Sequence, residues 1–208
     1  MFIAVYVIFI SPFMALITEN EIRNYVPVQK SLNESSSIRL QRSAVKVFKP
    51  TDSYDVFLSH AFKDAEIVEG IKRFLESKGL SVYVDWMENP ELDRSRVTPQ
   101  TAEVLREAMR HSKTLLYAAS VNAAASKWMP WELGYSDALH GKVAVLPIAP
   151  ANQLLTAYKG QEYLGIYPYV DEVRGLLTVN SQRIAGRSLT KEQWFTLGNN
   201  YNQTVSVI

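Results

Sequence analysis

The chain has 208 residues, a formal net charge of +1 and no cysteine. This length accommodates one well-buried domain of about 150 residues with extensions, and the balanced charge provides no basic face for nucleic acid. The absence of cysteine excludes disulfides, thiol nucleophiles and thiolate metal sites, and it suits a reducing compartment, so we expect a cytoplasmic protein. The three histidines are far apart in sequence without metal-ligand spacing, and we expect no metal site: they are His60, His111 and His140.

The first 17 residues are almost wholly apolar. A membrane span needs roughly 20 such residues, and Pro12 interrupts the run. A secretory signal would carry a basic residue ahead of the apolar run, whereas the first basic residue here is Arg23. We expect a packed strand here, and contact of residues 1–17 with a membrane or an assembly partner is the less favoured alternative. The sequence "TENE" from Thr18 to Glu21 fits a capping box that opens a short helix, and the Ser-rich stretch 31–43 is typical of a linker.

From Tyr54 onward, short β-forming runs alternate with segments of helical spacing. The runs predict strands at 54–59, 80–84, 113–120, 142–149 and 163–170, of which the last is an edge strand or a strand end because it contains Pro168. The spacing predicts helices at 64–79, 100–112 and 131–141. Asp64 is the expected N-cap of the first of these helices, and Gly79 is its expected stop.

This alternation predicts an α/β fold, a flavodoxin-like doubly wound parallel sheet of about five strands. We divide the chain into an N-terminal extension at 1–49, a domain at 50–170 and a C-terminal extension at 171–208 that packs on the domain. Ligands of such sheets bind outside the carboxyl ends of the strands. Glu132 follows one of these ends and is therefore expected on the ligand face.

The connection from Asp85 to Pro99 is long for a compact α/β domain, where about 2–6 residues are usual. Loops of this length commonly form lids or binding surfaces, and its charges of both signs suit self-association. The alternative is a mobile, solvated insertion. The charged residues are Asp85, Glu88, Glu91, Asp93, Arg94 and Arg96.

Three ordered motifs, "YDVFLSHAFKD", "GLSVYVDW" and "SKWMPWELG", resemble the Toll/interleukin-1 receptor (TIR) domain over about residues 50–170. The chain resembles the bacterial branch, whose members commonly serve in antiphage defence, among them Thoeris-type sensors. The resemblance implies one of two activities: a scaffold that assembles through the loop after the second strand, or cleavage of NAD+ at the nicotinamide–ribose bond. Carried over by motif position, the catalytic glutamate is Glu132, the aromatic residue one turn before it is Trp128, and the acidic residue that opens the loop is Asp85.

One carboxylate is enough for this chemistry. Nicotinamide leaves a cationic pyridinium as a neutral molecule, so it needs little general acid, and a single carboxylate can stabilise the oxocarbenium-like transition state. Pro130 is comfortable at the first helical position, which would put Glu132 in the first turn, where the helix dipole favours its ionised form. Trp128 can then stack on the cationic ring.

Small residues at the end of the first strand are further candidates. Ser59 and Ala61 could let backbone amides approach a diphosphate or ribose, or they could simply fit a tight turn. Phe62 borders the pocket or covers the core. Asp85 could hydrogen-bond a ribose or hold the loop.

The neighbouring residues have structural interpretations. We expect His60 to be a structural histidine, and Trp131 and Leu133 to belong to the core. Lys63 and Asp64 are expected to form a solvated helix start.

We therefore predict an NAD+ glycohydrolase or cyclase that makes an ADP-ribose-type signal, or depletes NAD+, in antiphage defence. The alternative is a non-catalytic scaffold that self-associates through the 85–99 loop, and a third possibility is a deoxyribosyltransferase-like enzyme on a related fold. No Gly-rich dinucleotide fingerprint occurs, so NAD+ is expected as a substrate and no cofactor is expected. The expected partners are NAD+, further copies of the chain and a downstream effector that senses the product.

Overall fold

The computed structural model describes residues 16–27, 35–44, 51–85, 99–153, 155–156, 158–160, 162–184 and 186–198. The strands are β1 (Tyr54–Ser59), β2 (Val82–Val84), β3 (Ser112–Ala119), β4 (Val143–Pro147), β5 (Tyr169–Val173), β6 (Leu176–Asn180) and β7 (Ser188–Thr190). The helices are α1 (Glu19–Arg23), α2 (Ser36–Ala44), α3 (Ala65–Ser77), α4 (Pro99–Arg110), α5 (Met129–His140) and α6 (Lys191–Leu197).

All seven strands form one sheet in the order β2-β1-β3-β4-β5-β6-β7. The first five pair in parallel, while β6 and β7 continue the sheet antiparallel. The order of the parallel part is the flavodoxin-like one, with a switch point between β1 and β3. This confirms the predicted doubly wound sheet, although the expected five strands account only for its parallel part.

Each face of the sheet has its own hydrophobic core. Along β1, Val56 and Leu58 join the core under α1, α2 and α3, whereas Phe57 joins the core under α4 and α5. This alternation follows from the two-residue period of a strand, and it shows that β1 is covered on both sides, as a parallel sheet requires. Ser59 has the same parity as Phe57 and therefore faces α5.

The helix stops are as predicted, but the fifth strand is displaced. Gly79 and Gly141 follow α3 and α5 with φ angles of 78° and 59°, a conformation that side chains disfavour. Residues 162–166 form a 3-10 helix, and β5 begins only after Pro168, which cannot donate to a ladder. Because β5 lies between β4 and β6, the edge-strand alternative is wrong and the strand-end alternative is right.

The prediction of a linker at 31–43 is wrong for the part that the structure describes, because Ser36–Ala44 is the helix α2. Arg39 holds α2 on α3 through two hydrogen bonds to Glu69, Nε to Oε1 at 2.7 Å and Nη2 to Oε2 at 2.6 Å. Leu40 is buried beside them. Tertiary contacts thus stabilise a helix whose Ser-rich sequence favours a loop.

The N-terminal segment belongs to the same body from residue 16 onward. The capping box is confirmed, since the Thr18 hydroxyl accepts from the Glu21 backbone while the Glu21 carboxylate accepts from the Thr18 backbone. Thr18 also bridges Ala149 beyond the end of β4, and Leu16 is fully buried. Residues 1–15 lie outside the described part, and no helix within that part is long and apolar enough to cross a membrane.

The C-terminal segment is built into the domain. The predicted boundary after residue 170 cuts through β5, and the following residues supply two strands to the same sheet and a helix, α6, that packs beside them. Trp194 of α6 is buried, and its indole Nε1 donates to Thr114 Oγ1 on β3 at 3.1 Å. Residues 171–198 therefore complete the core instead of packing on its outside.

Candidate active site

Glu132 is a buried carboxylate in the first turn of α5, with 6% of its surface exposed. The helix begins at Met129, so Pro130 occupies the second helical position instead of the predicted first. The Glu132 backbone N–H donates to the Trp128 carbonyl at 2.9 Å, which puts the two residues one turn apart. The charge sits where the helix dipole favours an anion.

The end of β1 holds this carboxylate in place. Ser59 Oγ donates to Glu132 Oε2 at 2.5 Å, and both side chains are buried. The sequence suggested Ser59 as a site residue because of its small size. The structure shows instead that its hydroxyl contacts the glutamate. A hydrogen bond to a charged group between two buried partners fixes the direction in which the carboxylate points.

Two tyrosines flank Glu132. Burial raises the pKa of Tyr83 on β2, and the charges of Asp85, Tyr54 and Glu132 raise it further. Burial likewise raises the pKa of Tyr117 on β3, and Glu132 is among the neighbours that add to this effect. Both phenols therefore stay protonated at neutral pH.

Sequence reasoning missed both tyrosines: Tyr83 lies within the motif "GLSVYVDW" but was not singled out, and Tyr117 lies outside the three motifs. Their place at the site depends on strand order: Tyr117 is level with Ser59, and Phe57 is level with Tyr83 and stacks on it at 5.4 Å between ring centroids. That register becomes visible only once β1 is known to lie between β2 and β3.

The two tryptophans of the motif have different surroundings. Trp128 is half-buried and meets Trp131 edge to face, with ring centroids 5.3 Å apart. Trp131 in turn stacks on Tyr135, and the Arg106 guanidinium lies 5.6 Å from its centroid. Leu133 is fully buried. Leu133 has the core position that the sequence predicts, whereas Trp131, like Trp128, is only half-buried and packs against that core.

The remaining candidates are only partly brought together. Asp85 is half-buried at the end of β2 near Tyr83, and Ala61 is buried in the core under α5. Phe62 packs against the core on the opposite face of the sheet. This agrees with the interpretation that Phe62 covers the core and not with the one that it borders the pocket. His60 is buried with Nδ1 3.0 Å from the Leu58 carbonyl, as expected of a structural histidine. Residues 86–98 of the long loop lie outside the described residues.

The prediction of a solvated helix start is wrong for Asp64, although Lys63 is exposed. Asp64 is buried, and its carboxylate accepts hydrogen bonds from Ser120 Oγ and Asn122 Nδ2. The short 3-10 turn Phe62–Asp64 aims this side chain at the loop after β3. Asp64 thereby joins the end of β1 to the loop that leads into α5.

A sequence model of a known family decides the relationship. The family described as the TIR domain matches residues 56–177, more than half of the chain. The chain belongs to the TIR domain family. This TIR protein is 46% identical over 162 residues to the probable 3′ cyclic ADP-D-ribose synthase ThsB′ of Bacillus cereus (strain MSX-D12), an alignment that covers 76% of this chain and 83% of the relative.

A second relative is more distant. The TIR protein is 28% identical over 131 residues to the putative cyclic ADP-D-ribose synthase TIR2 of Cytobacillus dafuensis, with 56% of this chain and 35% of that protein covered.

Within the ranges that the structure describes, His, Asp and Glu side chains form no group of three or more that could hold a metal ion. At the candidate site, this TIR protein therefore offers the Glu132 carboxylate, fixed by Ser59, with the aromatic Trp128 and the phenols of Tyr83 and Tyr117 nearby.

Proposed function

We propose that this TIR protein cleaves NAD+ at the nicotinamide–ribose bond and closes the ADP-ribose part into a cyclic product, as a signal in cytoplasmic antiphage defence. The observation that carries the proposal is the buried Glu132 carboxylate, held by Ser59 at 2.5 Å in the first turn of α5. The names of the two relatives, a probable 3′ cyclic ADP-D-ribose synthase and a putative cyclic ADP-D-ribose synthase, support the same reaction.

The reaction needs charge stabilisation more than proton transfer. As the C–N bond breaks, its electron pair leaves with neutral nicotinamide, and positive charge develops on the ribose. The Glu132 carboxylate stabilises that charge. A hydroxyl of the adenosine ribose then attacks the anomeric carbon and loses its proton, so that NAD+ gives cyclic ADP-ribose, nicotinamide and H+. If water attacks instead, the product is linear ADP-ribose.

Each substrate-binding candidate has a separate role in this proposal. Trp128 stacks on the nicotinamide ring. Asp85 hydrogen-bonds a ribose hydroxyl, and the small Ala61 lets the substrate approach the end of β1. Ser59 orients Glu132, while Phe62 supports the end of β1 from the opposite core.

The assembly belongs to the same proposal. Activity requires self-association, with the 85–99 loop of one protomer reaching the site of another, because the reactive cation must be closed off from water. A downstream effector senses the nucleotide product. Full activity of a demonstrably monomeric species at high dilution would contradict the self-association.

The experiment is incubation of the purified protein with NAD+, alone and with lysate of infected cells, followed by mass spectrometry. We expect nicotinamide together with a product that has the mass of cyclic ADP-ribose. Linear ADP-ribose as the sole product would restrict the function to hydrolysis. If NAD+ stays intact under every trigger while the protein still assembles and signals, the scaffold alternative is correct.

A further inference from the structure

The connection from β4 to β5 carries several tyrosines to the face of the sheet that holds Glu132. We call residues 158–167, of which all but residue 161 are described, the tyrosine segment. Tyr158 and Leu164 pack against the core under α5. The Tyr167 hydroxyl donates to Asp137 Oδ2 on α5 at 2.9 Å. The segment therefore rests on the same helix that positions Glu132.

A single glutamine side chain pins this segment. Gln182 Nε2 donates to the carbonyls of Leu164 and Tyr167 at 3.2 and 2.8 Å, and its Oε1 accepts from the Gly160 N–H at 3.3 Å. The segment also packs on itself, since a Cβ at Gly160 would lie 2.5 Å from the Gly165 backbone nitrogen. Because these hydrogen bonds hold Gly160, Leu164 and Tyr167 in place, the tyrosine segment forms a preformed side of the site, which we call the wall.

The wall is continuous with the surroundings of Glu132. Tyr117 is level in the sheet with Ser59, the residue that donates to Glu132, and it shares the core with Tyr158. Tyr163 neighbours Tyr117 directly, because the two side chains share a hydrogen bond, and after burial it also adds to the raised pKa of Tyr158. Tyr117 is buried, whereas Tyr163 is 41% exposed. Tyr163 is thus the solvent-facing end of a row of phenols that starts beside the carboxylate.

We propose that Tyr163, backed by Tyr158, binds the adenosine half of NAD+ and thereby decides whether the ribosyl cation is captured by the substrate's own hydroxyl or by water. This inference rests on the proposed function. Cyclisation requires that the adenosine be folded back onto the reacting ribose, and an aromatic side chain at a fixed position can hold the adenine by stacking. Hydrolysis has no such requirement, so the two outcomes depend differently on Tyr163.

The test is the ratio of cyclic to linear product, measured with the rate of nicotinamide release on the same samples of full-length protein. For Tyr163→Ala, assayed at saturating NAD+, we expect the ratio to fall about fivefold or more, with the cyclic product lost more strongly than nicotinamide release. Tyr163→Phe keeps the stacking ring and should keep the ratio. Tyr25→Ala is the matched control, since Tyr25 is a similarly exposed tyrosine, 36%, that packs on Phe74 of α3.

A second variant tests the wall as a unit. Gln182→Ala removes the three hydrogen bonds that pin the segment and should lower the ratio in the same direction as Tyr163→Ala. An unchanged ratio in Tyr163→Ala, or an equal loss of both products, overturns the inference and leaves the proposed function intact. If the unmodified protein releases no nicotinamide under any trigger, the proposed function fails and the inference falls with it.

Discussion

At the scale of single residues, the Ser59 hydroxyl is the contact that most directly controls Glu132. Ser59→Ala leaves a buried carboxylate without this donor, a loss of about 1–3 kcal/mol in hydrogen bonding. We expect kcat to fall about 10-fold or more with a smaller change in KM, because the misoriented carboxylate acts in the transition state. Ser59→Thr keeps the hydroxyl and should recover part of kcat. Unchanged kcat in a folded Ser59→Ala protein would show that the hydrogen bond is only structural.

Asp171 on β5 is a buried acid whose charge opposes folding. Burial raises its pKa from 3.8 to about 6. The folded state therefore binds the Asp171 proton more tightly than the unfolded state. The contribution of Asp171 to the free energy of unfolding thus rises as pH falls from 6 towards 4 and is lowest above pH 6. Asp171→Asn should stabilise the protein by about 1–3 kcal/mol near neutral pH and by almost nothing below about pH 4.

The measurement is urea unfolding of the Asp171→Asn variant and its parent near pH 7.5 and pH 4, with Asp55→Asn as the opposite case. Burial works against ionisation of Asp55 too, but hydrogen bonds from Lys113 and Ser81 leave its pKa lowered. The ionised Asp55 thus stabilises the folded state at neutral pH, and this contribution is lost in acid. Asp55→Asn should therefore lower the free energy of unfolding near pH 7.5. Equal effects of Asp171→Asn at both pH values would refute the assignment.

At the scale of elements, the ion pair between Arg39 and Glu69 determines whether α2 stays docked. Removing one partner of a buried pair is costly, and Arg73 Nε at 3.0 Å from Glu69 compensates only in part. We expect Arg39→Ala to cost about 1–3 kcal/mol and to make residues 36–44 sensitive to protease. Arg73→Ala is the control: its side chain is 41% exposed, and we expect a loss below about 1 kcal/mol. A protected α2 in Arg39→Ala would rule out this role.

The elements also show what the sequence can predict. Local signals locate the first four parallel strands, the capping box at Thr18 and the stops at Gly79 and Gly141, because each depends on neighbouring residues. Burial of Asp64 and formation of α2 depend on partners 30 or more positions away, such as Glu69 for Arg39 and Ser120 for Asp64. Likewise Glu132 and Ser59 are candidates from the sequence, whereas the hydrogen bond between them and the approach of Tyr83 and Tyr117 depend on strand order.

At the scale of the whole molecule, the fold extends beyond the family match on both sides, with α1 and α2 before it and β7 and α6 after it. A deletion of residues 1–15 should leave a cooperative fold, while a deletion of 1–16 already removes the buried Leu16. A deletion of 1–24 also removes Ile22, whose carbonyl packs against Gly70 of α3. We expect the longest deletion to lose several kcal/mol of stability or to aggregate. Identical unfolding curves for the 1–15 and 1–24 deletions would show that α1 is dispensable.

Glu132 is the residue on which the proposed reaction depends, and the most direct test is nicotinamide release by Glu132→Gln. The matched control is Glu192→Gln, since Glu192 is also a first-turn glutamate, in α6, but is exposed to solvent. Under conditions in which the unmodified protein cleaves NAD+, we expect Glu132→Gln to release no nicotinamide above background while unfolding normally, and Glu192→Gln to retain full activity. Cleavage by folded Glu132→Gln at the unmodified rate would contradict the claim.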